Sequence, residues 1–122
     1  MGSTSLNLVV IRVPDLEQAA DFYSGLDLKF TKHAHGKGPE HYAAELGTSV
    51  FEIYPRASDS DSTQPVRLGF QVTSAEESLR KLEAKGGKLI SPLKDSPWGL
   101  RAVIDDPFGH RIEVTQSKTL TE

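Results

Sequence analysis

DDPFGHRIEVTQ, residues Asp105 to Gln116, is the stretch whose reading decides the fold. Pro107 presets φ for a turn and Gly109 tolerates a positive φ, so the segment predicts a hairpin tip that feeds a strand. Strand side chains alternate, which puts Ile112 and Val114 on one face and Arg111, Glu113 and Thr115 on the other. Glu113 therefore falls on a face that need not be filled with hydrophobes. Alone, this is the pattern of a solvated glutamate on an outer strand, because Glu is almost never buried unpaired. The pattern occurs once before. After the Gly47–Thr48 turn, Ser49 to Tyr54 places Phe51 and Ile53 on the core face and Val50, Glu52 and Tyr54 on the opposite one.

Working outward, each of these strands ends a series of elements. Leu6 to Val13 is a β-branched run in which Val9, Ile11 and Val13 share a face and Leu8, Val10 and Arg12 share the other. Pro14 ends it, and Asp15 with Gln18 three residues on marks a helix start running to about Ser24, with Asp27 suited to a left-handed exit. Leu28 to His33 reads as a strand and His41 to Leu46 as another. The loop between them holds His33 and His35, but its glycines would not fix metal ligands, so metal binding there is not expected.

ASDSDSTQ, followed by Pro65, is acidic and serine-rich and reads as a linker over residues 57–65. The series then restarts. Val66 to Val72 is a strand, Ser74 with Glu77 is a capping box, and Ala75, Leu79 and Leu82 form a buried helical stripe ended by Gly86 and Gly87. Lys88 to Ser91 reads as a short strand, Pro92 to Gly99 as a loop holding Trp98, and Leu100 to Asp105 as the strand into the opening turn. Aligning the caps Asp15 and Ser74 gives an offset of 59, and aligning Glu52 with Glu113 gives 61. Repetition at that length fits a duplicated half-domain rather than a solenoid. Helices can cover only one face of the strands, so the opposite faces are expected to border a cavity holding Glu52 and Glu113.

Composition sets the outer bounds. The 122 residues are 37% hydrophobic and 25% charged, with a net charge of −3 and a pI near 5.8; no basic field exists to hold nucleic acid or an anionic membrane. Cys is absent, which removes disulfides and thiolate chemistry. No apolar run has membrane-spanning length, and MGSTS lacks the basic and hydrophobic regions of a secretory leader, so a cytoplasmic location is expected. No GxSxG, P-loop or dinucleotide fingerprint occurs. His110 could serve as a general base, but a solvated turn histidine is the preferred reading.

LVVIRVPDLEQAADFYSGLDLKF and VIDDPFGHRIEVTQ resemble the vicinal oxygen chelate superfamily, which contains glyoxalases, bleomycin-resistance proteins, fosfomycin-resistance enzymes and extradiol dioxygenases. The resemblance implies an α+β fold: a single domain over 1–122 with two tandem βαβββ modules, 6–56 and 66–116, forming a cup-shaped mixed sheet, usually as a homodimer. Such a scaffold hosts many chemistries, so whether the chain is an enzyme stays open. Family enzymes carry four metal ligands in the cup, and by position these fall on Leu8, Glu52, Arg67 and Glu113. Leu8 has no lone pair and Arg67 is permanently cationic. At an assumed 5 Å or so, a guanidinium repels a divalent ion by on the order of 7 kcal/mol at an effective dielectric near 20.

The expectation is therefore a metal-independent protein that binds a small polar or cationic molecule, of the sequestering resistance or sensor type, with no cofactor. Glu52, Arg67, Gln71 and Glu113 supply its polar groups and Tyr54 and Trp98 an aromatic wall, with Leu8 also counted among the ligand-binding positions. Trp98 in SPWG resembles an element of resistance-type members and is placed at the rim. Arg101 is either a second anion contact or a surface charge. The alternative is a metal-dependent lyase, isomerase or dioxygenase with Glu52 and Glu113 as ligands.

Overall fold

The computed structural model describes residues 3–117. The outer ends of the expected 1–122 span lie outside the described residues. Two compact units are present, one drawn from residues up to 20 together with 28–63, the other from 21–27 together with residues from 64 on. No helix among the described residues is long and apolar enough to cross a membrane.

In the first unit, β1 (Leu8–Val13) leads into α1 (Leu16–Tyr23), whose start is capped by the Asp15 carboxylate accepting from the Gln18 amide at 3.1 Å. Then follow β2 (Thr31–His33), β3 (His41–Leu46) and β4 (Ser49–Pro55), in the sheet order β1-β4-β3-β2. β1 runs parallel to β4 and the other pairs are antiparallel. The parallel pair needs a crossover, and α1 supplies it. Ile11, Val13, Ala19, Ala44, Phe51 and Ile53 are buried together as the unit's core. Residues 59–61 of the expected linker form a 3-10 turn, and the Thr63 hydroxyl accepts from the Arg12 amide at 3.0 Å.

The second unit takes the last turn of α1 and repeats the order with β5 (Arg67–Gln71), α2 (Ala75–Ala84), β6 (Lys88–Ser96), β7 (Gly99–Asp105) and β8 (Arg111–Gln116). Its sheet order is β5-β8-β7-β6, with β5 parallel to β8. The Ser74 hydroxyl caps α2 by accepting from the Glu77 amide at 3.2 Å. Phe22, Tyr23, Leu82, Ile104, Ile112 and Val114 are fully buried here, and an apolar side chain so placed contributes about 1.5–3 kcal/mol. Two elements depart from the sequence reading: β2 covers only Thr31–His33 of the expected Leu28 to His33, and β6 does not stop at Ser91 but continues through Pro92 to Ser96. Pro92 is tolerated because β6 is an edge strand, and register shifts on either side of Ser91 absorb the irregularity.

Candidate ligand site

Glu113 sits in the middle of β8, opposite Gly69 on β5 and Val103 on β7. Its neighbours Ile112 and Val114 are buried in the core, so the alternation of the strand turns the carboxylate to the other face. A Cβ at Gly69 would meet nothing within 4 Å, so the space beside the carboxylate is open. The ends of the neighbouring strands supply its partners. The Arg67 Nε donates to Oε2 at 2.5 Å. Arg101 donates to Oε1 through Nε at 3.0 Å and lies at 2.9 Å through Nη2. Arg101 is thus an ion-pair partner and not merely a surface charge.

Burial pushes the Glu113 carboxyl up, but the hydrogen bonds and charges of Arg67 and Arg101 outweigh it and hold the group below the usual range. Arg101→Ala is therefore expected to raise the pH at which Glu113 titrates, read by carbon NMR of the labelled carboxyl group. An unmoved titration would mean that Arg101 does not stabilise the carboxylate in solution.

Trp98 belongs to the two-residue turn between β6 and β7. The Ser96 hydroxyl fixes that turn by donating to the Gly99 carbonyl at 2.6 Å and accepting from the Trp98 amide at 3.2 Å. The Trp98 side chain is nonetheless 72% exposed, an unusual state for the residue with the largest apolar surface. It stands at a cleft of about 320 Å³ lined also by Arg101, Glu113 and Thr115. Of the expected site residues, Trp98, Arg101 and Glu113 are thus brought together, and Arg67 reaches the same carboxylate. Gln71 instead donates to the Ser117 hydroxyl.

Leu8, Glu52 and Tyr54 belong to the first unit. Leu8 is exposed. Glu52 is half-buried and makes no hydrogen bond or ion pair among the described residues; Val10 and Ala43 are its strand neighbours. The Tyr54 ring stacks on His41 at 4.2 Å, with the Arg12 guanidinium 5.4 Å from the ring centroid, so it is engaged inside its own unit. His33, His35 and His41 form a cluster with ring centroids 5.3–5.8 Å apart, which the sequence reading did not foresee. His33 stacks on His35 and on His41 while His35 and His41 are tilted to each other, and among the described residues no group of three His, Asp or Glu side chains is placed to hold a metal.

His110 corrects its own reading. It is fully buried rather than solvated, and its Nδ1 lies 2.7 Å from Oδ2 of Asp106, itself only 4% exposed. The Tyr23 hydroxyl donates to the same oxygen at 2.6 Å. A histidine directly after a proline turn carries no sequence mark of this, because Tyr23 lies 83 residues from the Asp106 that both side chains reach.

A search of the curated proteins finds no match. Among solved structures the chain is similar to the hypothetical protein SA1046 from S. aureus, at 21% identity over 93% of this chain and 94% of that one, with a TM-score of 0.72. It is also similar to TnmS3, an antibiotic binding protein from Streptomyces sp. CB03234, at 20% identity over 97% and 99% of the two chains and a TM-score of 0.72. A third is a glyoxalase/bleomycin resistance protein/dioxygenase family enzyme from Burkholderia phytofirmans PsJN, at 18% identity over 93% and 99%, with a TM-score of 0.71. These likenesses are of fold. The sequence profile that matches residues 5–114 is more specific, and by it the chain belongs to the Glyoxalase/Bleomycin resistance protein/Dioxygenase superfamily.

Proposed function

We propose that the chain binds a small, flat, polar organic molecule without a metal, in the manner of a sequestering resistance protein or sensor. The observation that carries this reading is Trp98, 72% exposed at the mouth of a cleft floored by an ion-paired carboxylate. Leaving an indole in water forgoes the roughly 1.5–3 kcal/mol that burying a large apolar side chain provides, and a stacked ligand recovers it. Thr115 and the guanidinium of Arg101 add polar contacts for orientation, and few polar groups in a partly apolar cleft is the usual form of a small-molecule site. TnmS3, which shares the fold, is an antibiotic binding protein. That supports the ligand class without identifying the ligand.

The metal-free half rests on the donor set. Both Glu113 oxygens already accept from guanidinium groups, and a divalent cation would have to displace them while facing two positive charges. Leu8, which the resemblance places at another of the four ligand positions, has no donor atom.

Trp98 is the one tryptophan of the chain, so its emission reports on the cleft directly. Titration with a panel of planar aromatic antibiotics is expected to quench it saturably with at least one compound. Trp98→Ala should weaken that compound about tenfold or more by calorimetry, the scale of a lost stacking contact plus its buried area. Binding unchanged in Trp98→Ala sinks the reading. Stoichiometric metal in the purified protein, lost in Glu113→Gln, sinks the metal-free half alone.

A further inference from the structure

A second cleft of about 310 Å³ opens on the second unit's sheet, lined by Pro65, Arg67, Asp105, Gly109 and Arg111. Arg67 and Arg111 are direct register partners on the parallel strands β5 and β8. Like charges directly opposite each other on adjacent strands are destabilising, so the pair calls for a compensating anion. The carboxylates present compensate each arginine from a different side. Glu113 takes only the Nε of Arg67, leaving both its η nitrogens without a hydrogen bond among the described residues. Asp105 takes Nε and Nη2 of Arg111 at 2.8 and 3.1 Å, leaving Nη1. Three unused N–H-bearing nitrogens thus remain on two guanidinium groups that line one cleft.

Charge points the same way. Arg67, Arg101 and Arg111 with Asp105 and Glu113 leave this cluster one positive charge in excess, in a chain whose net charge is −3. Arg67 also joins the two clefts, because it lines the second while bonding the carboxylate that floors the first.

We infer that the second cleft is an oxyanion site, in which the η nitrogens of Arg67 and Arg111 hold a phosphate, phosphonate or carboxylate group. Guanidinium forks match such groups in geometry and hydrogen-bond to them more strongly than to neutral acceptors. That this group belongs to the same molecule that stacks on Trp98 rests on the reading above. It narrows the ligand class to aromatic acids, with the ring at Trp98 and the acid group across the Arg67–Glu113 pair.

The test is calorimetry at low ionic strength, with inorganic phosphate and phenyl phosphate as probes. Saturable phosphate binding is expected in the wild type, weakened about tenfold or more in Arg111→Gln, the scale of a lost charged hydrogen bond. Asp105→Asn removes the competing carboxylate and should tighten phosphate by about threefold to tenfold, a gain that misfolding cannot produce. Phenyl phosphate should bind about tenfold more tightly than phosphate, an advantage lost in Trp98→Ala while phosphate itself is unaffected. No saturable phosphate binding, or equal binding in Arg111→Gln, overturns the oxyanion site even if aromatic compounds still quench Trp98. Phosphate binding that obeys both variants while phenyl phosphate gains nothing upholds the site and overturns its link to Trp98.

Discussion

Asp106→Ala is expected to destabilise the protein by about 3–5 kcal/mol, the range for removing one member of a buried hydrogen-bonded charge network. The carboxylate accepts four bonds: the amides of Phe108 and His110 at 2.8 and 2.9 Å reach Oδ1, while the Tyr23 hydroxyl and His110 Nδ1 reach Oδ2. Truncation strips those donors of their acceptor in a place water does not reach, with Tyr23 and His110 both fully buried. The same bonds close the turn from which β8 starts, so they also fix the register that turns Glu113 away from the core. A loss of this size is a large fraction of the stability of an ordinary domain. Urea unfolding measures it, and a change under about 1 kcal/mol would mean that the network is not formed in solution.

The pH dependence follows from the same groups. Burial pushes the Asp106 carboxyl up, but hydrogen bonds from His110 and Tyr23 outweigh it and leave the group below its ordinary value of 3.8. A depressed acid contributes stability that is fully present above its unfolded value and is lost as pH falls through the folded one. Tyr23 is the opposite case: burial, then the charge of Asp106, raises its hydroxyl well above the ordinary 10.0. Its contribution is present below that value and is lost as pH climbs above it. Tyr23→Phe should therefore flatten the alkaline limb of a stability profile and Asp106→Asn the acid limb.

How far the chain could be read in advance depended on the range of the interaction. Asp15 and Ser74 cap their helices through bonds spanning three residues, and such short-range signals are written in the sequence itself. The alternation around Glu113 is equally local, and with the repeat at 59 to 61 residues it leads to two βαβββ units. Tyr23 on Asp106 and Arg67 on Glu113 join residues 83 and 46 apart, and only the folded register decides such partners. Arg101 is the instructive case. It lies two strands from β5, and its role becomes visible only when β7 is aligned to β8 with Arg101 opposite Thr115, one step along the face from Glu113. Pro92 misled the reading of β6 because a proline marks the end of a strand everywhere except at a sheet edge, and edge position is a property of the whole sheet.

Gly99→Ala is expected to cost about 2–5 kcal/mol and to disturb the candidate cleft at the same time. Gly99 has φ +128, outside the range L side chains favour, and a Cβ there would clash with the Gln116 carbonyl oxygen. That oxygen belongs to the backbone of β8, which is held to β7 along its length and cannot retreat as a side-chain tip would. Relief has to come from the turn, where Gly99 is bonded to Ser96 and follows Trp98 directly. The substitution should therefore shift the Trp98 emission of the folded protein and weaken any aromatic ligand, besides lowering the urea midpoint. Gly69→Ala is the control, because its added Cβ meets nothing within 4 Å and carries no positive φ, so its stability should stay within about 0.5 kcal/mol of wild type. Equal stability in the two variants, with Trp98 emission unchanged, would mean that the close approach of Gly99 to β8 does not hold in solution and that something else positions the indole.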